Sequence, residues 1–298
     1  MKNLKNFIPS VNFHLWEPCN MRCRFCFATF QDVKMCILPK GHLPKDEAIQ
    51  VIRNLAKSGF TKITFAGGEP TLCPWINDLI FEAKNYGLTT MIVTNGTKLT
   101  DDFLVQNVHS LDWITLSLDS LEENSNLLSG RAISGKKVLT KNIYYELVDK
   151  IKAYGYGLKI NTVVSSFNYK EKLIDFIAYA KPSRWKVFQV LPIKGQNDFL
   201  VDSLLINDKQ FNTFLDLNKL SSHFIKIIPE SNDAMTGTYV MVDPAGRFFT
   251  NKSGTHIYSK PINQIGVTAA LEEMNYNKEK FIAREGFYDW ENKKNNVA

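Results

Sequence analysis

No stretch of this 298-residue chain is apolar for long enough to make a membrane-spanning helix. No run of basic residues appears either. Lys+Arg 36 against Asp+Glu 30 leaves a dispersed excess of +6, too weak to argue for nucleic acid and suited to an anionic small molecule. Only five cysteines occur, without an even framework of spacings, which excludes a disulfide-stapled scaffold and points to a reducing compartment. Residues 1–10 lack a signal-peptide core and are too short for an amphipathic anchor, so a cytoplasmic, membrane-free protein is expected. Repeats and low-complexity tracts are missing, apart from a polar tail at 291–296 that is expected to fray.

What is present is enough for one large core. At 44% hydrophobic and 22% charged, the composition fits a barrel-sized domain plus an extension, and a monomer is expected. Strand and helix alternate along the chain. Strands are expected at 11–16, 61–66, 88–93, 112–118, 158–164 and 184–191. Helices are expected at 44–58, 74–86, 100–108, 136–154 and 170–180, several ended by glycine at positions 59, 87 and 155. Helices between successive strands imply a parallel sheet with right-handed crossovers, and six units fit an open, partial (β/α)6 barrel. The division is a lead-in over 1–10, the barrel over 11–191 and an extension over 192–298. The extension, with a helix at 207–220 and short strands at 224–228, 238–242 and 246–250, is expected to cover the barrel's open side.

Cys19-Asn-Met-Arg-Cys23-Arg-Phe-Cys26 is the most specific motif. The three thiols share one helical face, so burial as small hydrophobes is one reading. Against it, Pro18 and Asn20 make a poor helix interior, and Arg22 and Arg24 flank the thiols with charge that favours thiolate. A structural zinc site takes four protein ligands, whereas three thiolates suit a [4Fe-4S] cluster with one iron left open. Cys36 and Cys73 stand apart and are taken as structural.

This spacing, with Phe25 before the last cysteine, resembles the signature of the radical S-adenosylmethionine (SAM) enzymes, and Gly67-Gly68-Glu69-Pro70 after the next strand matches their second mark. The resemblance implies that the open iron chelates the amino and carboxylate groups of SAM, and that Gly67, Gly68 and Glu69 grip its methionine amine. Glycines there permit a close backbone approach. Asn95 and Ser117, at later strand ends, are candidates for the SAM ribose and carboxylate. Asp119 shares the face of Ser117 and reads as a turn cap.

Alternation within two strands supplies an independent clue. Lys159 and Asn161 point to one face of their strand, and Arg184 and Lys186 share a face of the next. Strands covered on both sides normally read as apolar runs, so cations facing a lumen call for a buried anion. A triphosphate would serve, and a bidentate arginine suits phosphate geometry.

With Asn12-Phe-His14, Gly130-Arg131, Ser134-Gly135-Lys136-Lys137 and Pro229-Glu230-Ser231-Asn232, these residues resemble the viperin family in the family's own order. The resemblance implies conversion of a nucleoside triphosphate (CTP, UTP or GTP, pyrimidine favoured) into its 3′-deoxy-3′,4′-didehydro analogue, a chain-terminating antiviral nucleotide. It also implies an electron donor such as flavodoxin or ferredoxin. Asn12, Lys159, Asn161, Arg184, Lys186, Ser231 and Asn232 would bind substrate, and His14 and Arg131 would take catalytic roles. For Arg131 this means reaching the phosphates or covering the site. The amphipathic membrane helix of the animal members is not found, and Tyr288-Asp289-Trp290 resembles their aromatic C-terminus. Two rival readings are a radical SAM enzyme for a peptide or cofactor precursor and an iron–sulfur, nucleotide-binding regulator without turnover.

Overall fold

The computed structural model describes residues 7–219 and 225–290; the tail at 291–296 lies outside them, as do residues 1–6 of the lead-in. The first strand and helices are β1 (Ser10–Trp16), α1 (Gln31–Cys36) and α2 (Lys45–Lys57). Next come β2 (Lys62–Gly67), α3 (Ile76–Asn85), β3 (Thr89–Thr94), α4 (Asp101–Asn107), β4 (Trp113–Ser117) and α5 (Glu123–Leu128). The sixth unit closes with α6 (Lys141–Ala153), β5 (Gly157–Val164), α7 (Ile174–Ala180) and β6 (Arg184–Gln189). The extension holds α8 (Asp208–Leu217), β7 (Lys226–Glu230), α9 (Asn232–Met235), β8 (Met241–Val242), β9 (Arg247–Thr250) and β10 (Ile257–Pro261). Three short helices follow: α10 (Ile262–Ile265), α11 (Val267–Glu272) and α12 (Lys278–Ala283).

All ten strands form one sheet in the order β10-β9-β8-β1-β2-β3-β4-β5-β6-β7. Pairings from β8 through β7 are parallel, and only β9 and β10 run antiparallel to their neighbours. The six-unit α/β reading is therefore correct, and the extension adds both strands and cavity-lining side chains. It lengthens the sheet at both edges, β7 beside β6 and β8 beside β1, and among the described residues no pairing joins β7 to β10. Tyr239, Asn251, Phe281, Arg284 and Tyr288 of the extension line the cavity.

Local causes are visible. On α2, Ala48, Val51, Ile52 and Leu55 recur at helical spacing and are all buried against the sheet, each large one worth roughly 1.5–3 kcal/mol. Helix α6 begins later than the sequence predicts, at Lys141, because Thr140 caps it. The preceding segment folds instead as a turn, with Ile133 bridged to both Lys137 and Met21 of the cysteine loop. Helices α1 and α5, six residues each, are too short to declare a period in sequence.

Candidate active site

Parallel register stacks side chains into rows, and the sheet curls them around a cavity of about 880 Å³. On β4, β5 and β6 the row Thr115, Lys159, Arg184 lies two residues before the row Ser117, Asn161, Lys186. Lys62 opens β2, and Asn12 on β1 sits level with Thr64 and Met241 on either side. All of these except Met241 face one another across the cavity that also receives Cys19, Cys23 and Cys26 at the strands' C-terminal end; Met241 lines it beside Asn12. The site therefore has a sulfur end and a cationic end.

At the sulfur end, the cysteine loop is held mainly by backbone. Arg22 and Arg24 N–H groups donate to the carbonyls of Gly130 (3.2 Å) and Ser129 (2.9 Å), and Ser134 N–H donates to that of Asn20 (2.7 Å). Gly130 adopts φ +76°, and a Cβ there would stand 2.1 Å from the Arg22 carbonyl oxygen, so glycine is required. The flanking arginines do not serve the thiols: Arg22 Nη1 donates to the carbonyls of Cys19 and Met21, and Arg24 to Leu128 O and Ser203 Oγ. Burial pushes the Cys19 thiol up to about 11, Cys23 to about 12, and Cys26 upward. The cation beside sulfur is Arg131, whose Nη1 lies 3.8 Å from Cys23 Sγ. Among the described residues no three metal-ligating side chains close around a single ion, as mononuclear zinc would need. A [4Fe-4S] cluster takes each thiolate on a different iron, and three soft donors converging on one cavity fit it. Cys36 is exposed on α1 and Cys73 is buried in the core; neither lines the cavity.

Arg131 lines the cavity at its sulfur end. It is buried and ion-paired with Asp119 (3.1 Å), and it donates to the Ser117 carbonyl (2.7 Å) beside the cysteine loop. Asp119 is thus no simple cap: its Oδ1 accepts the Val163 N–H at 2.8 Å while it holds Arg131.

Gly67 and Gly68 line the cavity, but their reason for being glycine lies elsewhere. Added Cβ atoms would stand 2.3 Å from the Trp16 carbonyl oxygen and 2.2 Å from that of Glu17. The segment is pressed against the root of the cysteine loop, with Gly68 and Glu69 N–H groups donating to Trp16 and Pro18 carbonyls. Glu69 is fully buried, and protein donors occupy its carboxylate: Thr71 N–H and Oγ1, Thr94 Oγ1 and the Asn95 N–H at 2.8 Å. Asn95 is likewise engaged, donating to Asn20 Oδ1 (2.9 Å) and accepting from Thr97. Both residues hold together the cavity rim beside the cysteine loop. Glu69→Ala should leave Thr71, Thr94 and Asn95 donors unpaired, at about 1–3 kcal/mol. A lowered melting temperature together with weakened SAM titration is the expected result; unchanged values for both would remove Glu69 from the rim.

At the opposite end the sequence reading was incomplete. Besides Lys159, Arg184 and Lys186, the cavity receives Lys62 and Arg284. In sequence Lys62 is a lone lysine at the start of a strand, and Arg284 sits on a segment without periodicity. Glu230, fully buried at the end of β7, is the carboxylate among them, accepting from Lys186 (2.7 Å) and Arg284 (3.1 Å) and from Tyr239 Oη (2.5 Å). Among the described residues Lys62, Lys159 and Arg184 have no carboxylate at ion-pair distance. They rest on aromatic faces instead. Lys159 Nζ stands 4.0 Å from the Trp113 ring and Arg184 is 4.2 Å from that of Tyr288. Tyr288 Oη is also 2.7 Å from Lys159 Nζ, which seats Tyr288 in the cavity, and the Trp113 indole N–H donates to the Trp290 carbonyl behind it. Burial, aided by the neighbouring arginines, lowers Lys62 to about 7. Burial also lowers Lys186 to about 7 and Lys159 well below the usual lysine range.

His14 lines the cavity inside an aromatic box of Phe27, Phe30 and Phe249, with ring centroids at 5.9, 5.5 and 5.5 Å. Burial, then His256, depresses it to about 3, so it is a neutral imidazole here and not a proton store at neutral pH. Glu230, Ser231 and Asn232 all lie behind the cavity lining, and of the three only Glu230 reaches the lining cations. Ser231 caps α9 and the Asn232 N–H donates to Gln189 Oε1; the useful member of that segment is Glu230.

Comparison with known proteins fits this geometry. Residues 16–180 match the model of the Radical SAM superfamily, more than half of the chain. A protein of Flammeovirga pacifica named S-adenosylmethionine-dependent nucleotide dehydratase is 57% identical over 96% of this chain and 97% of its own length. The chain belongs to the viperin family of radical SAM enzymes. A relative of the same name from Lacinutrix mariniflava is 61% identical over 98% of this chain, which spans 61% of that longer protein. The viperin of Oncorhynchus mykiss, a nucleotide dehydratase by name, is 33% identical over 94% of this chain and 80% of its own length. Among solved structures, SuiB of Streptococcus suis bound to S-adenosylmethionine superposes with a TM-score of 0.61 at 16% identity, covering 82% of this chain and 60% of its own. Native anSMEcpe with bound AdoMet and Cp18Cys peptide superposes with 0.68 at 15% identity, covering 94% and 84%. At these identities they establish the fold alone. Membership in the family assigns this viperin a [4Fe-4S] cluster and SAM as cofactors.

Proposed function

We propose that this viperin dehydrates a nucleoside triphosphate (CTP, UTP or GTP, with pyrimidine favoured) to its 3′-deoxy-3′,4′-didehydro form. The observation that carries the reading is the cationic end of the cavity, which among the described residues receives five basic side chains, only two of them, Lys186 and Arg284, paired with a carboxylate, that of Glu230. A phosphate chain there places the attached ribose toward the cysteines. Cluster and SAM, when bound, supply one electron and a 5′-deoxyadenosyl radical that removes the ribose C4′ hydrogen. Departure of the 3′-hydroxyl as water then takes one proton and one further electron.

The residues set geometry. Lys62, Lys159, Arg184, Lys186 and Arg284 hold the phosphates, and Asn161, one row nearer the cysteines, faces the ribose beside Asn12 and Ser117. Fixing the reacting carbon near the radical supplies much of the rate, because near-attack placement replaces an entropic search. Arg131 neutralises charge beside Cys23, and Glu69 and Asn95 hold the rim. A small reducing protein as electron donor and a cytoplasmic site of action belong to the same reading; among the described residues no helix is long and apolar enough to cross a membrane.

Anaerobic incubation of the reconstituted enzyme with SAM and reductant tests it. Release of 5′-deoxyadenosine is expected to depend on added nucleoside triphosphate, and competition among CTP, UTP, GTP and ATP ranks the bases. Nucleotide-independent release, or release triggered only by a peptide, would overturn the proposal.

A further inference from the structure

The cationic end is overcharged for an empty cavity. Five cationic side chains face one carboxylate, an excess of four if every lysine carries its proton. The groups facing it are few, and Glu285, whose backbone carbonyl accepts from Arg184 Nη2 and whose charge is felt there, spends its carboxylate on Lys226. Lys62 enters from β2, Lys159 from β5, Arg184 and Lys186 from β6, Glu230 from β7, and Tyr239, Arg284 and Tyr288 from the extension; β1, β3 and β4 present Ser10, Asn12, Met91 and Thr115. The carboxylates that line the cavity lie toward the cysteines and are engaged: Glu69 by four donors, Asp119 by Arg131, and Glu17 by Lys34. Both oxygens of Glu230 are also taken, Oε1 by Lys186 and Arg284 and Oε2 by Tyr239.

Magnesium on a nucleotide is ordinarily held by one or two protein carboxylates together with phosphate oxygens. No free carboxylate faces this end, and the ammonium and guanidinium groups compete for the same oxygens that the metal would occupy. We infer that the site takes the metal-free, tetra-anionic triphosphate, and that its entry draws protons onto the lysines crowded at this end. Protons on Lys62, Lys159 and Lys186 thus stand where other phosphate sites place magnesium. This inference rests on the triphosphate reading above.

The depressed lysines agree, with Lys62 and Lys186 near 7 in the empty protein. A buried tetra-anion favours their charged forms and returns them toward the ordinary range. Between about pH 7 and 10 binding must therefore take up protons, and affinity must fall as pH rises.

Calorimetry with the cluster-loaded enzyme and CTP, in buffers of different ionisation enthalpy, measures the protons directly. At pH 8, above the last phosphate pKa of about 6, the uptake belongs to the protein. The expected results are net uptake with CTP in EDTA, a smaller uptake in Lys62→Met, and binding weakened by about tenfold or more when magnesium exceeds CTP. Uptake of no protons, or equal affinity with and without excess magnesium, overturns the inference and leaves the triphosphate reading standing. Absence of CTP binding under both conditions overturns that reading, and the inference with it.

Discussion

Alanine at Cys19, Cys23 or Cys26 should abolish the reduced cluster's electron paramagnetic signal and all SAM cleavage, the largest effect expected of any single substitution here. The three thiols line one cavity, and each is buried enough to hold its proton until iron displaces it. Removing one leaves a cluster corner without a ligand, and no other cysteine lines the cavity to replace it, since Cys36 is exposed on α1 and Cys73 is packed in the core. Cys36→Ala and Cys73→Ala should keep both signals, the latter with a small loss of stability from a vacated core position. Iron and sulfide analysis of each reconstituted variant checks assembly separately from turnover. A Cys36 variant without a cluster, beside a Cys23 variant that retains one, would refute the ligand assignment.

The second large effect concerns the phosphate end. Lys159→Met or Arg184→Met should weaken triphosphate binding by roughly 30- to 1,000-fold, from about 2–4 kcal/mol for truncating one partner of a buried charge pair. Cluster reduction and SAM binding should survive, because the sulfur end lies at the opposite end of the strands, and slow uncoupled SAM cleavage should persist. Full protection of these variants by CTP in a thermal-shift assay would show that the basic rows do something else.

Lys62→Met sharpens the same argument through stability. Lys186 keeps Glu230 as a partner, whereas among the described residues Lys62 has ring faces but no carboxylate. Its folded pKa near 7 lies below the unfolded value of about 10.4, so the unfolded chain binds more protons between these limits. Stability from this group therefore rises with pH across that window and is lowest below it. Replacing Lys62 should stabilise the empty protein at pH 7, by on the order of 1–3 kcal/mol, and should flatten the rise toward pH 10. A destabilised Lys62→Met would mean that the amine is compensated after all.

Much of this protein is readable from local pattern. Cysteine spacing, the Gly67-Gly68-Glu69-Pro70 segment and the alternation of Lys159 with Ile160 or Arg184 with Trp185 are short-range features. A strand's period of two fixes which side chains share a face, whatever surrounds it. Parallel order followed from the same source, because helices between strands leave few topologies.

Which faces meet is another matter, and only the tertiary structure decided it. Lys62, Arg284 and Tyr288 reach the cation rows from elements far apart in sequence, and no local period announces such a meeting. Arg131 turned to the cysteine loop because the backbone of Gly130 lies against Arg22, a contact set by loop packing. Glu69 and Asn95 became mutual braces of the rim, since a buried carboxylate takes every donor that the packed rim offers. Sequence determined which chemistry each strand end carries; long-range packing determined which groups remain unpaired, and an unpaired buried charge is what a ligand binds.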